Sequence, residues 1–292
     1  MKTRRDFLKQ AAMLSAFIGS VWLSPAMAFA TEASKKMKLG LVTYQWGMDW
    51  DVPTLITNCE KTGLSGVELR VDHAHNVTPT LSAKERKTVA KRFADSAVTL
   101  VGFGTTAEFH SPDPNILRKN IEGAMEYVVL SKDCGATGIK VRPNALPSEV
   151  EQEKTVAQIA RSLSELGRYA ADYGQEIRLE IHGGCAPIPI IKSIIDQVPE
   201  KNVGLCWNCN KQDLDGAGLK ANFESVKTRL SGVTHIRDLA SESYPTRELF
   251  DLLRAVNYSG YLLIEEGDAK LSAEERIRRL GQSAKVFAEW QK

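Results

Sequence analysis

From residue 38 onward, short apolar runs alternate with longer stretches whose apolar residues recur every three to four positions. The first pattern marks buried strands and the second marks helices with one buried face. Strands are predicted over 38–46, 66–71, 99–105, 138–142, 177–184, 202–208, 233–239 and 261–266. Helices are predicted over 52–62, 82–96, 115–134, 148–173, 187–197, 219–230, 247–256 and 272–290. Alternating strands and helices in this number, with short connections, favour a single closed (β/α)8 TIM barrel over an open doubly wound sheet.

The stretch from Ile177 to Gly184 carries the most information. Strand alternation puts Arg178, Glu180 and His182 on one face and Ile177, Leu179 and Ile181 on the other. A barrel strand explains this: the apolar face meets a covering helix, and the polar face points inward near the carboxyl end. A solvated edge strand is the competing reading. The same alternation turns Glu68, Arg70, Lys140 and Arg142 inward, ends strand six at Asn208, and places His235 and Glu265 on strands seven and eight. His73, His75 and His110 fall in the loops after strands two and three, so all five histidines are expected at one mouth.

Glu180, Asn208, His235 and Glu265 come from four successive strands. Two carboxylates, an imidazole and an amide oxygen form a hard oxygen and nitrogen donor set. It suits one divalent ion, Mn²⁺, Mg²⁺, Co²⁺ or Zn²⁺, rather than a soft thiolate site. Lys140 and Arg142 can neutralise an oxyanion or bind an acidic substrate; a structural ion pair with Glu68 or another inward acid is the alternative. Trp46 and Trp207 can supply an apolar wall to a ligand or fill the core.

Charge is nearly balanced, with 38 Lys and Arg against 36 Asp and Glu. There is no basic tract, so nucleic acid is not expected as a partner. The first thirty residues differ in character. Thr3 to Lys9 resembles a twin-arginine export signal, with Arg4 and Arg5 as the pair. A modest apolar stretch at 11–23 follows, then the cleavage candidates Ala26-Met-Ala28 and Ala28-Phe-Ala30. Residues 1–30 are therefore expected to be a signal peptide and residues 36–292 the barrel. The protein is expected in the periplasm, without stable membrane association after cleavage. An uncleaved anchor and homo-oligomerisation stay open. Five cysteines, an odd number, match no disulfide framework. Cys206 and Cys209 could be a redox or zinc pair, but all five are read mainly as small buried residues.

Four segments carry a family resemblance: Leu179 to Gly183, Gly204 to Asn208, Thr234 to Leu239, and Tyr258 to Glu265. They resemble the xylose isomerase-like barrel superfamily of sugar phosphate isomerases and epimerases, which includes tagatose 3-epimerase-like enzymes and the AP endonuclease family 2 fold. The resemblance implies a metal held on strands five to eight and proton abstraction next to a carbonyl through an enediolate. Glu180 and Glu265 would be the acid/base pair as well as metal ligands. Asn208 stands where the ketose 3-epimerases have Asp, and Lys211 stands where they often have His. Arg70, His75, His110, Lys140, Arg142, His182, Lys211 and Asp238 are the expected contacts of a small sugar or glycoside. Three functions follow: a metal-dependent sugar isomerase or epimerase, a β-eliminating lyase on keto-glycosides using the same site, and a non-catalytic sugar-binding barrel.

Overall fold

The computed structural model describes residues 36–268 and 270–292. The export-signal reading lies on residues 1–30, outside that range. Eight strands run in chain order: β1 (Lys38–Gln45), β2 (Gly66–Arg70), β3 (Thr99–Glu108), β4 (Gly138–Arg142), β5 (Glu176–Glu180), β6 (Val203–Cys206), β7 (Val233–Ile236) and β8 (Tyr261–Glu266). Among the described residues, eight α-helices alternate with them: α1 (Val52–Thr62), α2 (Ala83–Ala94), α3 (Pro114–Asp133), α4 (Gln152–Asp172), α5 (Ile188–Ile195), α6 (Gly218–Val226), α7 (Thr246–Ala255) and α8 (Ala273–Trp290). None of these helices is long and apolar enough to cross a membrane.

All strand pairs are parallel, in the order β6-β5-β4-β3-β2-β1-β8-β7. The remaining seam, between β6 and β7, is joined by Ser231 N donating to Leu205 O and His235 N donating to Trp207 O, both at 2.8 Å. The result is a nearly closed (β/α)8 barrel, as the alternation predicts.

Local chemistry sets the helix starts. Asp51 accepts from Thr54 N at 2.9 Å, Asp113 accepts from Asn115 N at 2.8 Å, and Ser82 and Glu85 cap each other reciprocally at the start of α2. Outward strand residues such as Leu41, Leu69, Leu179 and Ile264 pack on helix residues such as Leu55, Leu163, Ile191 and Phe250 in one continuous core. Val42, Val101, Cys206, Val233 and Leu263 fill the barrel interior. All five cysteines are buried and unpaired, which fits their reading as small core residues. Trp46 and Trp207 are fully buried, so both belong to the core rather than to a sugar-binding wall.

Arg178 corrects one expectation. It points inward but fills the amino end of the barrel, not the mouth. Its guanidinium donates to Glu176 Oε2 (2.7 Å), Thr137 Oγ1 (2.7 Å) and Val101 O (3.1 Å). Gly102 makes room for it, since a Cβ there would lie 2.5 Å from Arg178 Nη1. Gly104 does the same for Glu68, with a Cβ 2.8 Å from Oε1. The two glycines of β3 are therefore close-approach positions.

Candidate active site

A cavity of about 640 Å³ opens at the carboxyl ends of the strands, the end at which TIM-barrel sites form. Glu180 closes β5, Glu265 lies on β8, and Asn208 lies two residues past β6; all three line the cavity. His235, on β7, is fully buried beside them. Its Nδ1 lies 3.4 Å from Glu180 Oε1 and 3.5 Å from Glu265 Oε2. One donor atom from each of Glu180, His235 and Glu265 lies within 4.8 Å of the others. Both nitrogens of His235 are buried without a hydrogen-bond partner, as are both oxygens of Glu68. Buried polar atoms are normally satisfied, and an orphaned imidazole facing two carboxylates is the arrangement a divalent ion completes. The residues therefore fit the metal that the sequence implies, with Asn208 placed to offer an amide oxygen.

The surrounding charges are organised around this set. Lys140, on β4, donates to Glu180 Oε2 at 2.6 Å, with side-chain exposures of 3% and 2%. Burial alone would raise the Glu180 carboxyl, but the Lys140 ammonium and His235 hold it well below the usual carboxylate range. Burial likewise opposes the charged lysine, and Glu180, Glu265 and Glu68 together keep it protonated. The alternative of a structural ion pair is thus realised for Lys140 with Glu180, not with Glu68. Glu68 sits on the far side of the imidazole, with Oε1 3.3 Å from His235 Nε2. Burial disfavours an imidazolium there, but Cys206, Glu265 and Glu68 outweigh it and raise His235 well above the ordinary range. Of these three, the carboxylates carry the effect, because burial pushes up the Cys206 thiol and keeps it neutral. Metal binding would displace that proton, so affinity should fall as pH falls.

Arg70, Arg142 and His182 also line the cavity. Arg142 Nη2 donates to Glu108 Oε1 at 2.6 Å, and His182 Nδ1 pairs with Asn144 Oδ1 at 2.8 Å. Four expected contacts lie elsewhere. His75 is buried, with Nε2 on Arg70 O (2.8 Å) and Nδ1 accepting from Val77 N (3.0 Å), so it orders the loop after β2. His110 Nδ1 lies on Pro143 O at 3.1 Å. Lys211 is exposed on a short 3₁₀ turn at 211–214, and its neighbours Asn210 and Gln212 reach the cavity instead. Asp238 accepts from Ser283 Oγ (2.7 Å) and Ala240 N (3.0 Å), tying the end of β7 to α8. Arg237 lines the cavity in its place. Strand alternation would have found this, because Arg237 is two residues from His235 and Asp238 is three. Tyr44 is a second missed lining residue; it shares the inward register of β1 with Val42.

The segment that carries Asn208 is braced by a buried chain of hydrogen bonds. Trp207 Nε1 donates to Tyr244 OH (3.1 Å), which donates to Asp213 Oδ2 (2.9 Å); Asn210 N donates to the same oxygen (2.9 Å). Burial pushes Asp213 up to about 6, against the hydrogen bonds from Tyr244 and Asn210. The folded chain therefore keeps a proton that the unfolded chain, near the ordinary 3.8, has already lost. Stability should fall by up to about 3 kcal/mol as pH rises from about 4 to about 6, then level off. Asp213→Asn should flatten that dependence in urea melts. Equal pH dependence in both proteins would exclude Asp213 as its source.

A model of the xylose isomerase-like TIM barrel matches residues 56–289. The chain belongs to that family. Comparison with the curated proteins gives no sequence match. Among solved structures, the barrel is similar to a zinc-bound IolI protein at 18% identity, with 88% of this chain and 99% of that one covered and a TM-score of 0.74. It is similar to the E. coli 3-keto-D-glucoside 4-epimerase YcjR at 16% identity, covering 86% and 100%, with a TM-score of 0.69. An L-ribulose 3-epimerase gives 16% identity, coverage of 87% and 93%, and a TM-score of 0.72. At these identities the likeness speaks for the xylose isomerase-like fold.

Proposed function

We propose that this xylose isomerase-like barrel is a divalent-metal-dependent isomerase or epimerase of a small sugar. The observation that carries the reading is the convergence of Glu180, His235 and Glu265 on one point, with unpartnered imidazole nitrogens, at the base of the cavity. The sugar epimerases among the structural neighbours agree with it. An ion held by these three residues and Asn208 would supply Lewis-acid stabilisation of negative charge on a substrate carbonyl and hydroxyl.

The chain's own residues do the rest. Glu265 is the less buried carboxylate of the pair, with 12% of its side chain exposed against 2% for Glu180, and it takes the proton from the carbon next to the carbonyl. The electron pair moves onto the carbonyl oxygen, giving the enediolate. Lys140 keeps Glu180 ionised and supplies positive charge close to the developing oxyanion. His182, held by Asn144, and Arg142 face the sugar hydroxyls.

The Lys140–Glu180 pair gives a specific reason for a second reading. Epimerisation needs a group on the opposite face to return the proton, and Glu180 Oε2 is already occupied by Lys140 at 2.6 Å. β-Elimination from a keto-glycoside needs one carboxylate base and an acid for the leaving group, which this site also offers. Elemental analysis of the purified protein, with product analysis on free ketoses and a 3-keto-glycoside, separates the cases. An isomer or epimer supports the first reading, and a released aglycone supports the second. A metal-free protein without turnover leaves a sugar-binding barrel.

Asn208 supplies no negative charge, so the metal should stay more electrophilic than with Asp. Asn208→Asp should tighten metal binding by about tenfold and slow the polarised step by about tenfold, roughly 1.4 kcal/mol of barrel-site barrier. Unchanged metal affinity would remove Asn208 from the donor set.

We also propose export by the twin-arginine route to the periplasm, supported by Arg4 and Arg5 before Phe7-Leu8-Lys9. Replacing both arginines by lysine keeps the charge but not the guanidinium geometry, and should trap the precursor in the cytoplasm. Unchanged fractionation would refute the signal.

A further inference from the structure

Four cationic side chains reach the cavity: Arg70 from β2, Lys140 and Arg142 from β4, and Arg237 just past β7. The carboxylates that line it are Glu180 and Glu265. Lys140 is paired with Glu180 and Arg142 with Glu108, each at 2.6 Å. Arg142 still has Nε buried without a hydrogen-bond partner. Arg70 and Arg237 each give one N–H to a backbone oxygen, Val71 O and Glu265 O, both at 3.0 Å. Among the described residues neither forms an ion pair, and both are half-buried. A divalent ion on the donor set would offset the charges of Glu180 and Glu265, leaving Arg70 and Arg237 without an ion-pair partner.

Such an arrangement is poorly matched to a neutral sugar. Hydroxyl groups can accept from a guanidinium, but they bring no charge to a partly desolvated fork. A carboxylate or phosphate accepts two parallel N–H bonds and supplies that charge. We propose that the substrate is a sugar bearing an oxyanion, a carboxylate or a phosphate, whose charge is held by the arginines at the ends of β2, β4 and β7. This deepens the isomerase reading and rests on it only for the chemistry at the carbonyl end.

The test is calorimetric binding to the metal-loaded protein of D-gluconate, D-glucitol 6-phosphate and neutral D-glucitol. At least one charged probe should bind about 30-fold more tightly than glucitol. Which of the two it is distinguishes carboxylate from phosphate recognition. Arg70→Gln and Arg237→Gln should each reduce that preference by about tenfold, with unchanged metal titration and circular dichroism reporting that the variants are folded. Charged probes binding no better than glucitol would overturn the proposal. So would a preference that survives Arg70→Gln, Arg142→Gln and Arg237→Gln alike, because the anion would then sit on the metal or on Lys140. Turnover assays on neutral and acidic ketoses keep the two ideas apart. A neutral ketose turned over without oxyanion preference overturns this proposal and leaves the isomerase reading. Arginine-dependent oxyanion binding without turnover of any ketose supports this proposal and removes that reading.

Discussion

Lys140→Met should destabilise the metal-free protein by about 3–5 kcal/mol, the usual result of removing one partner from a buried ion pair. The substitution roughly preserves volume, so the loss comes from charge. Glu180 would be left with 2% of its side chain exposed and no ammonium at 2.6 Å. His235 offers partial compensation through Oε1 at 3.4 Å, so the lower end of the range is the better guide. The sign of the pH dependence follows. Without Lys140, burial is the largest influence on Glu180, and its folded pKa should rise above the unfolded value. The variant should therefore lose stability as pH rises through that window, and the gap from wild type should shrink in acid. Urea melts in the presence of a chelator, at acid and neutral pH, measure both effects. A loss under about 1 kcal/mol at neutral pH would mean that the pair is not the buried contact seen here.

Glu265→Gln should weaken divalent-metal binding by at least about 100-fold. It removes a charged donor, and changes one step further from a metal already cost about 10–100-fold. Glu68→Gln provides that comparison, since Glu68 meets the imidazole at Nε2 and not at the nitrogen facing the other carboxylates. The graded response should appear in metal titrations and elemental analysis without any assay of activity. Equal losses in the two variants would indicate general disruption. No loss in Glu265→Gln would remove the residue from the donor set.

Much of this site is legible in the sequence, because period-two alternation fixes side-chain direction on a strand. Glu180, His235 and Glu265 follow from it, and so do Glu68 and Lys140. The pairing of Lys140 with Glu180 does not, since alternation gives facing direction but not height along the barrel. Height is also why Arg178 is misplaced: it shares Glu180's face but sits two residues nearer the amino end, level with Thr137 and Val101. β5, β6 and β7 end earlier than the apolar pattern suggests. β5 ends at Glu180 and β6 at Cys206, so His182 and Asn208 approach the cavity from loops. Loop residues carry no periodic signal, which explains why Asn210 and Gln212 go unseen while the exposed Lys211 between them is chosen. Asp238 is an error of register instead, corrected by counting from His235.

If Glu265 and its neighbours remove a proton from the carbon next to a sugar carbonyl, that position exchanges with solvent. The most direct measurement is deuterium incorporation from D₂O, followed by NMR, with metal-loaded protein and a panel of neutral ketoses, acidic ketoses and 3-keto-glycosides. Deuterium is expected at the carbon adjacent to the carbonyl of at least one of these sugars, with incorporation lost in Glu265→Gln. Fully loaded, folded protein that exchanges no such proton in any of them would contradict that proton removal.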